Sequence, residues 1–372
     1  MADGAATANY RFLDVDLLLC ADRAAVVDEC DRYFGRFRAA DTSAAVTVSV
    51  AVTTDPDRGY AEERLPDGST RPIPWPIPPE WYLSLTDVAL TASRLPSFHA
   101  GSVSLGNAGA VLCASSGTGK TSLTLGLAAT GCAFLSDELA PIDPETGIVN
   151  AYPRAVGLRE GTARLFGLEV PRETAGGPPG SFRRFVDPGS LPGVTLAPSA
   201  RLALVVFLVP PRGAGEEGFR FLELGFSRLP DGLEAALAGI AGVAGVTRLS
   251  GRHYMTLRLK VVGETRVSGA VEAMTARLGA PVAVARWGDF GEPRYDDPPA
   301  CRDLPASEAL VAWRRHLLNP GALSGGKGDG MVLFKLASLA RGVRFVELTV
   351  GSMDQMVDVV TGMLRDGGGS GS

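Results

Sequence analysis

Ala114-Ser-Ser-Gly-Thr-Gly-Lys-Thr121 decides how this chain is read. The apolar run Ala110-Val-Leu-Cys113 precedes it and Ser122-Leu-Thr-Leu-Gly-Leu-Ala-Ala129 follows it, so a glycine-rich loop joins a buried strand to a helix. That context suits a phosphate-binding (P-loop) pattern, in which backbone N–H groups curl round an anion at the positive end of a helix. Gly117 and Gly119 supply the curl, and Ser115, Ser116, Thr118 and Ser122 complete the loop and the first helical turn. Lys120 can reach the β- and γ-phosphates of a nucleotide, and the Thr121 hydroxyl can hold Mg²⁺. The implied ligands are ATP and Mg²⁺, although nothing in the sequence separates ATP from GTP. Ala114 stands where the usual pattern has its first Gly, which costs something if that position needs φ > 0.

Working outward, Thr130-Gly131 stops the helix, Cys132-Ala-Phe-Leu135 reads as a short buried strand, and Ser136-Asp-Glu138 follows. A strand–helix–strand unit this compact is expected to be parallel, so the acid pair arrives at the sheet edge that carries the loop. One of Asp137 and Glu138 can take a proton from an incoming hydroxyl, and the other can bind Mg²⁺ directly or through water.

Composition narrows the rest. The 372 residues suffice for one large or two modest domains, and the formal charge of −5 with no Lys/Arg stripe leaves no nucleic-acid footprint. No apolar run approaches the ~20 residues that span a bilayer. The opening Met-Ala-Asp-Gly-Ala-Ala-Thr-Ala lacks the basic region and apolar core of a secretory signal. Cys20, Cys30, Cys113, Cys132 and Cys301 form no Cys-x-x-Cys pair, and the three His residues form no cluster with them. A zinc site is therefore not expected, and the cytoplasm is the expected setting.

Along the chain, residues 10–20 read as one strand, 24–37 as a helix and 45–52 as a strand, followed by Pro/Gly-rich sequence, a hairpin and loop, to Pro79. Residues 80–95 read as a helix. Residues 97–105 and 110–114 read as a hairpin closed by Gly106-Asn-Ala-Gly109, and 141–151 as another. Residues 173–180, rich in Gly and Pro with Arg183 and Arg184 just beyond, read as a loop that could act as a lid. Residues 202–210 read as a buried strand. Helices are expected at 229–240, 268–278 and 307–318, strands at 253–262, 281–285 and 343–350, and loops at 291–300 and 321–330. The helix at 352–365 carries Met353, Met356, Val357, Val360 and Met363 on one face, which reads as core.

Set in order, these pieces resemble the HPr kinase/phosphorylase superfamily, and most of all its divergent members found beside natural-product and peptide-modifying genes. The resemblance is carried by Phe98-His-Ala-Gly-Ser-Val103, Ser115 to Thr121, Ser136-Asp-Glu-Leu139 and Tyr152-Pro-Arg154, roughly residues 97–160. It implies that Asp137 deprotonates the acceptor hydroxyl, that His99 lies by the transferred phosphate and that Lys120 and Thr121 serve nucleotide and metal. It further implies a neighbouring acidic role for Glu138 at the metal and a phosphate contact for Arg154. The family's downstream metal-binding Glu has only Glu160 as a counterpart here, and its signature for recognising HPr is absent, so the resemblance does not extend to HPr as substrate.

The expected fold class is α/β: a P-loop, HPr-kinase-like core at 96–225 with an N-terminal αβ layer at 1–95 and a C-terminal α/β extension. Within the extension, 226–330 is an insertion, 331–366 completes the core with a strand and helix, and 367–372 is a flexible tail. The expected function is a kinase moving the γ-phosphoryl group of ATP to a hydroxyl of a peptide or small molecule, with no nucleic-acid or membrane partner and homo-oligomers allowed. The alternatives are a nucleotide-binding scaffold with weak ATPase activity and a peptide-recognition module built on the N-terminal layer.

Overall fold

A computed structural model of the protein describes residues 4–115, 118–168, 184–210, 219–226, 229–250, 255–262, 264–280, 282–288 and 297–368. The loop residues Ser116 and Gly117, the loop expected at 173–180 with Arg183, and tail residues 369–372 lie outside the described residues. It is a mixed α/β structure with several sheets.

The N-terminal layer holds β1 (Ala6–Phe12), β2 (Val15–Ala21), α1 (Ala24–Phe34), β3 (Val46–Asp55), β4 (Tyr60–Arg64), β5 (Thr70–Pro74) and α2 (Pro79–Ala92). Its five strands lie in the order β1-β2-β3-β4-β5, with β2 and β3 parallel and the other pairs antiparallel. The single strand expected over 10–20 is instead a hairpin that turns at Leu13, where φ is 60°. No Gly or Asn marks that turn, because a tertiary contact holds it: the Asp14 carboxylate accepts from the Arg94 N–H and the Ser93 hydroxyl. Alternation then sends Tyr10, Phe12, Leu17 and Leu19 into a core shared with Phe34 and Phe37.

The central part contains β6 (Ser97–Leu105), β7 (Ala108–Ala114), α3 (Lys120–Ala129), β8 (Ala133–Ser136), β9 (Leu139–Pro141), β10 (Ile148–Asn150), β11 (Val156–Leu158), α4 (Glu160–Leu165), β12 (Arg184–Val186), β13 (Thr195–Leu196) and β14 (Ser199–Val209). The β6–β7 hairpin closes on Gly106-Asn107, two residues tighter than expected. The hairpin expected over 141–151 turns at 143–147, where the Asp143 N–H donates to the Ile148 carbonyl and an antiparallel bridge joins Ile142 to Val149, while its outer parts pair elsewhere, β9 with β6 and β10 with β14.

Next comes a separate four-stranded antiparallel sheet. Its elements are β15 (Arg220–Phe226), α5 (Leu233–Ala238), β16 (Val243–Ser250), β17 (Met255–Val261), α6 (Glu264–Arg277) and β18 (Val282–Gly288), in spatial order β16-β17-β15-β18. This βαββαβ order is the split-βαβ arrangement, with its own apolar core. Residues 220–225, placed by the sequence reading within the nucleotide core, belong with Phe226 to β15, which pairs into this sheet on both edges.

The chain then returns with β19 (Cys301–Asp303), α7 (Ala306–Arg314), α8 (Gly321–Ser324), α9 (Asp329–Leu339), β20 (Arg344–Thr349) and α10 (Met353–Gly368). The stretch 321–330, expected as loop, contains α8 and the start of α9. Glycines at 325, 326, 328 and 330 hide the helical period there, and Val332, Leu336 and Leu339 fix α9 by burial.

The large sheet has the path β13-β8-β6-β7-β14-β20-β19. β14 lies parallel to both β7 and β20, which buries it on both faces and explains its unbroken apolar sequence. On one face Leu204, Val206 and Leu208 meet α3 and α10, and on the other Val205 and Phe207 meet α7 and α9. β7 and β8 both run antiparallel to β6 and hence parallel to each other, as the sequence implied. No helix among the described residues is long and apolar enough to cross a membrane.

Candidate functional site

β7 ends at Ala114, which is buried and paired with Leu208. Ala114 is not among the positive-φ residues, so it bears no left-handed strain. Gly119 does take a left-handed conformation, which glycine adopts freely: it has φ 96°, and a Cβ there would touch nothing, so glycine is required by conformation and not by space. The Thr118 N–H donates to the Ser115 carbonyl at 3.2 Å. α3 starts at Lys120 with no side-chain cap, which leaves the first-turn N–H groups aimed at the space before the helix. Leu123 and Leu127 fix α3 on the large sheet, and Leu125 and Ala128 pack against β11 and α4.

The acid pair sits in a break between two short strands that share one neighbour. β8 and β9 both pair with β6, and Asp137 and Glu138 occupy the gap. The Ser136 hydroxyl accepts from the N–H groups of Glu138 at 3.2 Å and Leu139 at 3.1 Å, so this serine shapes the turn. Its role was not legible beforehand, although a Ser before an acidic pair at a strand end is the available signal.

The side chains then converge. Lys120, 8% exposed, donates to the Asp137 carbonyl and lies 4.0 Å from Glu138 Oε2. Thr121 Oγ1 donates to Asp137 Oδ2 at 3.0 Å. Asp137 Oδ1 is buried without a hydrogen-bond partner among the described residues. Glu138 is met from two further directions, by His99 Nδ1 at 3.2 Å from Oε1 and by Arg154 Nη2 at 3.2 Å from Oε2. His99 stands on β6 directly opposite Leu139. One carboxylate is thus gripped by basic groups, while the other keeps one oxygen unsatisfied.

These groups open onto a cavity of about 510 Å³. It is lined by Ser115, Gly119, Lys120, Thr121, Ser122, His99, Asp137, Glu138 and Arg154, so sequence candidates spread over 99–154 meet in one place. Ser116 and Gly117 fall outside the described residues, as does the Glu160 side chain. The sequence reading missed the rest of the lining: Gly157, Arg159, Gly161, Thr162, Leu165, Phe185, Val350, Met353 and Met356. Thr162 exchanges a 2.7 Å hydrogen bond with Ser122, tying α4 to the first turn of α3. Met353 and Met356 do pack in the core, as the stripe implied, and they also form a cavity wall.

His316 was also missed. Its carbonyl accepts from the His99 N–H at 2.8 Å. Burial first, and then the neighbouring His99 and Lys120, push its imidazole down to about 4, so it is neutral near pH 7. Among the described residues, no group of three or more His, Cys, Asp or Glu side chains is arranged to hold a metal ion.

No family model and no curated protein matches this chain. Among solved structures, the HPr(Ser) kinase/phosphatase from Coxiella burnetii is similar, with 13% identity, a TM-score of 0.23, and coverage of 49% of this chain and 94% of that one. A likeness so loose transfers no residue roles.

Proposed function

We propose that the protein is an ATP-dependent phosphotransferase of the HPr-kinase-like type, moving the γ-phosphoryl group to a hydroxyl of a Ser or Thr in a peptide or of a small molecule. One observation carries the reading. Asp137 faces Thr121 at the start of α3 with one oxygen satisfied at 3.0 Å and the other buried and unpartnered among the described residues. A buried carboxylate oxygen without a donor costs free energy unless a cation or an acceptor proton meets it. The cavity volume suits a nucleotide-sized ligand, and the uncapped start of α3 suits its phosphates. The residues therefore fit magnesium ATP.

Magnesium ATP brings the phosphoryl group and the cation that offsets its charge. The first-turn N–H groups of α3 and the Lys120 ammonium hold the phosphates. Thr121 and Glu138 are the proposed magnesium contacts, Glu138 through water because both its oxygens already have basic neighbours. Asp137 Oδ1 accepts the proton of the incoming hydroxyl, whose oxygen bonds phosphorus as the bond to the β-phosphate oxygen breaks and ADP leaves. The Thr121 contact keeps Asp137 turned for that task. Arg154 and His99 stand beside the transferred group, with Glu138 holding both in place. Such a site works by positioning and charge neutralisation. The five cysteines are unpaired, which fits a reducing compartment, and the cytoplasm is the proposed setting.

The test is incubation with Mg²⁺, γ-labelled ATP and a peptide and metabolite extract, read by mass spectrometry. Wild type labels one hydroxyl. Asp137→Asn labels it about 10³-fold more slowly while binding nucleotide as before. Equal transfer by that variant removes Asp137 as the base. Label found only as free phosphate supports the second reading, a nucleotide-binding scaffold with slow ATPase activity. The grip of Arg154 and His99 on Glu138 favours that reading, since it leaves the second carboxylate already occupied.

A further inference from the structure

The aromatic core of the N-terminal layer continues past α2 into the cavity wall. Tyr152 is 1% exposed and belongs to that core, with its ring centroid 4.7 Å from Phe37 and 6.1 Å from Phe12. Its hydroxyl shares a 2.7 Å hydrogen bond with Thr86 on α2. Leu139, directly after Glu138, is buried in the same cluster. Phe185, a cavity-lining residue, meets Tyr33 edge-on at 5.0 Å. The Ala155 N–H donates to the Tyr33 carbonyl at 2.9 Å. Glu138, Arg154 and Phe185 therefore all ride on anchors in the N-terminal layer.

Arg154 depends on its anchor the most. Residues 151–155 belong to no helix or strand, and single backbone bonds hold them: the Ala151 and Tyr152 N–H groups donate to the Pro198 and Leu135 carbonyls, and the Arg154 N–H donates to the Tyr152 carbonyl. The Arg154 backbone is thus tied to Tyr152 on one side and, through the bond from Ala155 to Tyr33, to the N-terminal layer on the other. Ring packing alone fixes a side chain loosely, because apolar contacts are not directional. A buried hydroxyl pair is directional and costly to break, and Tyr152 has one.

We propose that Tyr152 is a positioning residue of the site: the Thr86–Tyr152 hydroxyl pair, seated in the N-terminal layer, aims Arg154 at Glu138. The N-terminal layer thereby becomes part of the active site's frame. The kinetic arm of the test rests on the phosphotransferase reading, whereas the exchange arm does not.

The kinetic arm compares wild type, Tyr152→Phe, Arg154→Ala and the double variant in single-turnover transfer or hydrolysis of γ-labelled ATP, with urea unfolding of each. Tyr152→Phe keeps the ring and removes only the hydroxyl. It is expected to lower the rate about tenfold or more with KM for ATP little changed, and to have no further effect once Arg154 is Ala. Equal rate losses in both backgrounds, or no loss in either, would overturn the proposal, since a purely structural role lowers stability alike in both without that coupling. The exchange arm follows the Ala155 amide in wild type, Tyr152→Phe and Thr86→Val. Faster exchange in both variants is expected, and unchanged exchange overturns the proposal. If wild type neither transfers nor hydrolyses, the functional reading fails, and the exchange arm alone decides the positioning role.

Discussion

The corner at Lys120 and the layer that braces it are built in opposite ways. The corner concentrates charge: Lys120, Asp137, Glu138, Arg154 and His99 meet within hydrogen-bond or ion-pair reach, mostly buried. These contacts all fall within residues 99–154, such as Thr121 to Asp137 and His99 to Glu138. The layer concentrates rings: Phe12 lies 4.8 Å from Phe34, 5.3 Å from Phe37 and 6.1 Å from Tyr152, and those contacts are long-range. A cluster of buried charge cannot hold itself together cheaply, because each ion must be desolvated before attraction offsets that cost. A ring cluster does the reverse and stabilises with every square ångström buried. The corner supplies the chemistry and the layer supplies the rigidity.

Phe12→Ala is the most direct way to break that division. Phe12 is fully buried at the centre of the rings, and truncating such a side chain costs about 3–5 kcal/mol. Urea unfolding should show that loss. At low urea the variant should still bind nucleotide, because Phe12 touches none of the phosphate-holding groups. A loss of nucleotide binding matching the loss of stability would mean that the layer and the corner are one unit with no division of labour.

The same contrast explains what could be read beforehand. The loop, the acid pair and their shared sheet edge were legible because short spacing brings them together: one helix separates Thr121 from Asp137, and the β7–α3–β8 order leaves their placement little freedom. Phe185 and Thr162, which line the cavity, and His316, which bonds the His99 backbone, were not legible, since each comes from a distant element and only tertiary packing brings it there. The hairpin at Leu13 was hidden for a related reason, its turn being held through Asp14 by Ser93 and Arg94, with no Gly or Asn to mark it. The βαββαβ unit was seen only in fragments. α5 is short, and β15 and β16 lack a clean apolar alternation.

His316 sharpens the contrast at the corner. Its imidazole lies near 4 in the folded protein against an ordinary 6.5, pushed down by burial first, then by His99, Lys120 and Arg315, while a hydrogen bond to the His99 backbone acts in the opposite direction. Between these values the unfolded chain binds the proton and the folded one does not. His316 therefore favours folding above about pH 6.5, and that contribution is lost as pH falls toward 4 and is gone below it. The slope is at most ~1.4 kcal/mol per pH unit for one proton. Urea unfolding of wild type and His316→Gln from pH 7 to 4 should show a shallower fall in the variant. Parallel curves would mean that other groups carry the acid sensitivity.

The smallest expected effect lies at the seam. Arg36, just after α1, makes a bidentate pair with Asp187 beyond β12, at 2.6 and 2.7 Å, with both side chains about half exposed. It draws the Asp187 carboxyl below the usual range. It also links the layer to the segment carrying Phe185, which makes it look like a main fastening. Exposure argues otherwise: water screens such a pair, and ion pairs of this kind are worth about 0.2–1 kcal/mol. Arg36→Ala should therefore cost less than ~1 kcal/mol, and the difference from wild type should shrink at 1 M salt, where the screening length is about 3 Å. A loss as large as that of Phe12→Ala, persisting in salt, would move the fastening from the rings to the seam. The layer would then be held to the cavity wall by charge, and Tyr152 would have only a secondary share in directing Arg154.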